Sequence, residues 1–365
     1  VDEGKADKGD DDPTPNRKAG LTRWLVRGNQ RQAAKEDDHA DNHEDCRQKG
    51  TLPSGDLYDS FANGLAPPGL KYPVPDPKGE ASQALCPHWW EGTFRGMVLV
   101  FGTICIDRLR RVPELPALGG YVEIVEEVEL LGGEAANTAN ALQKWGIEVI
   151  LAGNSLGNSD GGRLAQLLRD NGLAPIASNA KAEVPTPVCE IYVTPDGERT
   201  MFGQGFSSMD SAASTDPLPY KSGQWFTAES NMRNASRRAA ELAKQAGMSI
   251  YLMDFYAGGD PIFPGSYWQC STDWVGTRNN VQKNVEWVRE WVERYGCFAI
   301  LSDGPNGFVA GSPTMPVRAY PPYPAPKVVD TTGAGDMFRA GMLFGLSQDW
   351  PIEKCLQFAS AAGCL

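Results

Sequence analysis

Apolar positions recur with a regular period only from Met97 onward. Met97 to Ile106 is a near-continuous apolar run, the pattern of a strand buried on both faces. Glu148 to Ala152, Ser249 to Met253 and Phe298 to Leu301 repeat the pattern. Between these runs, helical periodicity predicts helices over 135–145, 162–171, 235–246, 281–295 and 334–346. Strands that alternate with helices imply parallel βαβ units. Two further stretches alternate with the period of a strand. One is 121–131. The other is 188–193, followed by Pro195-Asp196-Gly197 and then 198–202, which reads as a hairpin with an Asp-Gly turn. Both predict a small second sheet beside the main one.

Residues 1–96 have a different texture. Acidic runs, Asp10-Asp11-Asp12 and Glu36-Asp37-Asp38, give way to Ala66-Pro67-Pro68-Gly69 and Tyr72-Pro73-Val74-Pro75-Asp76-Pro77. Too few apolar residues recur there to build a core, so 1–96 is expected to be a disordered polar and proline-rich extension. The folded domain is expected over 97–365. With 41% hydrophobic and 22% charged residues in 365, the composition is that of a globular protein able to bury a core without staples. No run of ~18 apolar residues occurs, so no membrane-spanning helix is expected. A formal charge of −12 argues against a nucleic-acid partner. The eight cysteines form no C-x-x-C pair and no secretory leader is visible, which implies reduced thiols and a cytoplasmic location. The three histidines, His39, His43 and His88, all precede the patterned region. A histidine general base, a Ser-His-Asp hydrolase and a histidine-ligated zinc are therefore excluded from the main body.

Three glycine-rich stretches are candidates for chemistry. Asp330-Thr331-Thr332-Gly333-Ala334-Gly335-Asp336 follows the short apolar run Lys327-Val328-Val329 and opens a helix. Glycines at such a turn let backbone N–H groups converge on an anion, and the helix N-terminus adds a positive dipole end. Asp336 falls in the first turn, where a carboxylate can take a proton from an attacking hydroxyl. A plain helix cap with packing glycines would look the same. Gly132-Gly133-Glu134-Ala135-Ala136-Asn137 ends an alternating strand and starts a small-residue helix; either a ligand or a simple turn suits it. Gly153-Asn154-Ser155-Leu156-Gly157 fits G-x-S-x-G, yet no histidine follows it and its helix is delayed, so a serine nucleophile is rejected. No Walker A pattern occurs.

Taken in order, these stretches resemble the ribokinase-like (PfkB) family of carbohydrate kinases. The family's D-T-x-G-A-G-D signature is matched by Asp330 to Asp336, and its G-G-x-x-x-N element by Gly132, Gly133 and Asn137. Residues 153–162 resemble its G-x-x-G-x-D-x-x-G segment loosely, and Ser302, Gly304 and Gly307 fall in a stretch like its nucleotide-side loop. Asp107 aligns with an aspartate that contacts sugar hydroxyls, and Glu190 with a polar lid position facing the sugar. The resemblance covers about 97–365. It implies a three-layer α/β/α sandwich with a mostly parallel central sheet and a small β-sheet lid built from about 108–131 and 186–206. It further implies ATP-dependent phosphoryl transfer to a hydroxyl of a small sugar. Asp336 would be the catalytic base, Gly333, Ala334 and Gly335 the anion hole, and Mg²⁺ a bridge between phosphates. Asp330 and Thr332 would be candidates for a monovalent cation such as K⁺, and the lid for pairing in a homodimer.

Three features depart from the family pattern. No N-x-x-E occurs between Asp254 and Glu293, where Asn284-Val285-Glu286 has the wrong spacing. The chain stops at Leu365, where the family usually continues by further elements, so a C-terminal truncation is expected. Cys189 and Tyr192 stand close enough to Glu190 to leave the lid register open. A nucleoside kinase of the same fold and a catalytically silent kinase-like binding protein are the alternatives.

Overall fold

The computed structural model describes residues 96–174, 183–213, 215, 217–324 and 331–364, all within one compact unit. The N-terminal extension, the Lys327-Val328-Val329 run and Asp330 lie outside the described residues.

Strand β1, Met97–Gly102, is the centre from which the main sheet is built. Val98 and Val100 point into one apolar layer and Leu99 and Phe101 into the other, so both faces of the strand are buried. Parallel neighbours flank it: β4 (Glu148–Gly153) on one side and β7 (Trp225–Glu229) on the other. The sheet continues through β8 (Ser249–Met253), β9 (Tyr267–Ser271) and β10 (Phe298–Ser302), all parallel. It closes with an antiparallel pair, β11 (Phe308–Ser312) and β12 (Met315–Tyr320). Helices α1 (Glu134–Lys144), α7 (Ala334–Ser347) and α8 (Ile352–Ala362) bury their small and apolar residues against the Val98 face. Helices α4 (Arg233–Gln245) and α6 (Val281–Tyr295) cover the Leu99 face. Among the described residues, the remaining α-helices are α2 (Gly161–Asp170) and the single turns α3 (Met209–Ala212) and α5 (Thr272–Val275). This is the expected three-layer arrangement.

The second sheet has the order β3-β2-β5-β6, with β2 at Cys105–Arg111, β3 at Glu126–Gly132, β5 at Val188–Val193 and β6 at Arg199–Gln204. The β5–β6 hairpin turns at Asp196-Gly197, with Gly197 at φ +83°. Within 121–131, only Glu126 onward pairs with β2, opposite Arg111.

The run Met97 to Ile106 is not one strand. It breaks at Thr103-Ile104 and passes from the main sheet to the small one. The break is held by side chains distant in sequence. Asn154 accepts from the Ile104 N–H at 2.8 Å and donates to the Ile104 carbonyl at 2.9 Å, while Glu229 takes the Thr103 N–H. These groups replace the ladder partners that the strand gives up. Strands β7, β9, β11 and β12 and helix α8 also escape the periodicity reading. β7 and β9 carry polar residues at buried positions, Thr227, Glu229 and Gln269, which interrupt the apolar run.

Candidate active site

The carboxyl ends of the parallel strands lie together, with Gly102 beside Gly153, Glu229 beside Met253 and Ser271 beside Ser302. Crevices at this edge are where open α/β sheets place ligands. Two helix N-termini enter it. Gly133 caps α1 at φ +99°, and Gly333 caps α7 in the left-handed region at φ +78°. A Cβ on Gly133 would collide with the Thr103 backbone, so the close crossing requires glycine.

Asp336 sits in the first turn of α7, 5% exposed. Its Oδ2 accepts from Asn137 Nδ2 at 3.0 Å, and its Oδ1 lies 3.5 Å from Arg339 Nη2. Burial pushes its carboxyl up to about 7; Arg339 and the Asn137 hydrogen bond oppose that rise, while Glu229 and Asp254 reinforce it. Such a group is half ionised near neutrality, which suits a general base. The turn before it is braced from the sheet. Buried Gln269 donates to the Gly335 carbonyl at 3.0 Å and accepts from the Tyr251 hydroxyl at 2.7 Å. The Ala334 N–H donates to the Thr331 carbonyl at 3.3 Å; the opening turn of a helix otherwise leaves N–H groups without an intrahelical acceptor, which is the feature that suits an anion.

Asp107, on β2, reaches the same region. Its carboxyl occupies the space a Cβ on Gly132 would need, and Cys105 Sγ donates to its Oδ1 at 3.3 Å. Asp107, Gly132, Gly133, Asn137 and Asp336 thus form one chain of neighbours. Glu190 does not join them. Residues opposite one another on paired strands share a face, and Asp107 stands opposite Cys189, so Glu190 points to the other side. There it pairs with both Arg108 and Arg110, the contact to Arg108 being 3.5 Å. Glu190 thus stands in a charge ladder on the face of the small sheet opposite to Asp107. Sequence spacing alone could not decide this, because a shift of one residue reverses the face.

The other expected residues fall as follows. Ser302 ends β10, and Gly304 and Gly307 shape the turn after it, with Gly307 at φ +85° against the Tyr320 carbonyl. Thr332 receives Arg199 Nη1 from the lid at 2.9 Å, and Thr331 receives it at 3.3 Å. Its proposed cation partner Asp330 lies outside the described residues. Gly153-Asn154-Ser155-Leu156-Gly157 is a packing element: Gly153 abuts the Gly102 carbonyl, and buried Ser155 accepts from the Gly157 N–H at 3.2 Å.

The periodicity reading did not single out Glu229, Glu134, Asp254 or Arg339. Glu229 and Arg339 are fully buried. Burial raises Glu134 well above the carboxylate range and Asp254 to about 6. Asp254 also has positive φ, 59°, just past β8, a strained conformation at the same edge. A charged residue inside an otherwise apolar helix, as Arg339 is, was the one available signal. Among the described residues, no group of three or more His, Cys, Asp or Glu side chains is arranged to hold a metal ion, and no helix is long and apolar enough to cross a membrane. The six described cysteines are free thiols.

The sequence model of the pfkB family carbohydrate kinases matches residues 95–256 and 272–365. An uncharacterized sugar kinase of Dictyostelium discoideum is 29% identical over 324 residues, covering 73% of this chain and 91% of that protein. Aminoimidazole riboside kinase of Salmonella typhimurium is 28% identical over 263 residues, covering 64% and 81%. The structure of Arabidopsis thaliana ribokinase complexed with ribose and ATP superposes with a TM-score of 0.56 at 20% identity, covering 75% and 92%. That last likeness speaks for the fold.

Proposed function

Since the chain belongs to the pfkB family of carbohydrate kinases, we propose that it transfers the terminal phosphoryl group of ATP to a hydroxyl of a small sugar or nucleoside. The observation that carries this reading is Asp336, buried at a glycine-capped helix start and hydrogen-bonded by Asn137, 199 residues away in sequence. The acceptor hydroxyl would lie between Asp107 and Asp336. Asp107 would hold a neighbouring hydroxyl, and Asp336 would take the proton as the oxygen attacks phosphorus. The N–H groups of Gly333, Ala334 and Gly335 would receive the charge that spreads over the transferred group. The nucleotide would run toward Ser302, Gly304 and Gly307. The small sheet would cover the acceptor and exclude water, with Arg199 joining it to the Thr331-Thr332 turn.

Mg²⁺ would enter with ATP and offset the charge of its phosphates; among the described residues, no group of three or more His, Cys, Asp or Glu side chains is arranged to hold the ion. A K⁺ requirement is proposed on the signature loop and is read from turnover with and without the ion. Free thiols suit a reducing compartment such as the cytoplasm. The deciding experiment is ATP-dependent phosphorylation across a panel of sugars and nucleosides, with Asp336→Ala as control. Transfer to one acceptor that vanishes in the control supports the reading and names the substrate. A folded protein that binds no nucleotide and phosphorylates nothing refutes it in favour of a silent binding protein.

A further inference from the structure

Arg339 lies one turn beyond Asp336 on α7 and is fully buried. Taking a guanidinium out of water is costly unless every contact repays it. Its Nε donates to Thr138 Oγ1 at 2.9 Å and its Nη2 to the Glu134 carbonyl at 2.6 Å. Both acceptors belong to the opening turns of α1, which also present Asn137. Nη1 lies 3.6 Å from Glu229 Oε2 at the end of β7, and Nη2 lies 3.5 Å from Asp336 Oδ1. One side chain thus ties α1, β7 and α7 together. It approaches one oxygen of Asp336 while Asn137 bonds the other.

The charges around this carboxylate are mostly of its own sign. Glu229 faces it from β7 and Asp254 from the end of β8, and both oppose a negative charge there; Glu134, from α1, is held toward its neutral form by burial. Tyr251, on β8, is held by Gln269 and stays neutral, its hydroxyl pushed up by burial. Arg339 opposes this repulsion.

We propose that Arg339 is a positioning residue for phosphoryl transfer: its guanidinium clamps the turn carrying Asn137 to the helix carrying Asp336 and sets positive charge against the base. The inference rests on the reading of Asp336 as the base, and its test separates the two.

The Asp336 carboxyl is titrated by carbon-detected NMR in the folded protein, with Asp336→Asn to assign the signal, so the readout needs no substrate. In Arg339→Met the midpoint moves upward by about one pH unit or more, since an opposite charge within reach has been removed. Turnover then falls about tenfold further at pH 6 than at pH 9. In Arg339→Lys the charge stays and the fork is lost, so the midpoint holds within about half a unit while kcat falls at unchanged KM. Arg339→Met also strands buried Glu229. If that variant does not fold, Glu229→Gln/Arg339→Met compared with Glu229→Gln gives the same upward movement. An unmoved midpoint in either folded comparison overturns the proposal. A midpoint that moves as expected in a protein that phosphorylates nothing overturns instead the reading of Asp336 as a base, and with it the catalytic part of this inference.

Discussion

At the scale of single residues, Asp336 joins stability and chemistry in one group. Its carboxyl is raised to about 7, chiefly by burial. If it is the base, kcat/KM rises about tenfold per pH unit below that value and levels off above it, as a pH–rate profile would record. The stability sign is opposite. The folded protein holds this proton between about pH 4, where an unfolded aspartate releases it, and about pH 7, where the folded one does. Its contribution is therefore complete at low pH and lost as the pH rises through 7. Asp336→Asn should be at least as stable as the parent at pH 8 by thermal unfolding, yet transfer about 10²–10⁴-fold more slowly. Gly333 makes a second case. At φ +78° it lies where other residues pay steric strain, so Gly333→Ala should lower stability by about 1–2 kcal/mol in denaturant titrations. Asp336, Gly333 and Asn137 were legible because each sits at a fixed offset within a short motif. Gln269 and Arg339 were not, because a buried polar residue looks like a break in the apolar pattern until its partners are known.

At the scale of elements, the lid is the place where reading by pattern reached its limit. The hairpin and its Asp-Gly turn were plain from alternation. The face each residue occupies was decided by pairing with β2. The far face carries a ladder in which Arg163 and Arg108 both bond Glu129, holding its carboxyl below the usual range, with the Arg163 hydrogen bond the larger cause. Glu190 belongs to that ladder. Glu190→Gln should leave the acceptor KM within about twofold, because partly exposed pairs contribute only about 0–1 kcal/mol. Asp107→Asn, on the inner face, should lower kcat/KM by about 10–100-fold through loss of a charge-assisted hydrogen bond. Steady-state kinetics on both variants distinguishes the two faces.

For the whole molecule, the sum of charges at the strand ends is informative. Asp107, Glu229, Asp254 and Asp336 gather there, Glu134 is held toward its neutral form by burial, and the buried cation Arg339 is already engaged by carboxylates. A phosphorylated acceptor would meet net repulsion, so neutral sugars or nucleosides should be used at least about tenfold more efficiently in paired assays. The lid also exposes Leu118, Tyr121, Val125, Met201 and Phe202. If the lids pair between two copies, Phe202→Ser should shift sedimentation from dimer toward monomer.

The sequence by itself determined the alternation of strands and helices in this protein and the place of its glycine-rich turn at the start of α7. Both are local: strand and helix periods repeat within ten residues, and Gly333-Ala334-Gly335-Asp336 is a short motif at the start of a helix. The tertiary structure decided what surrounds that turn. It broke the first apolar run in two through Asn154 and Glu229, set Glu190 on the face of the small sheet opposite to Asp107, and brought the opening turn of α1 to Arg339 and Gln269 to the Gly335 carbonyl. Those outcomes depend on pairing register and on partners 50 to 205 residues apart. The electrostatic balance of a buried site is a property of such contacts, and no local period encodes it.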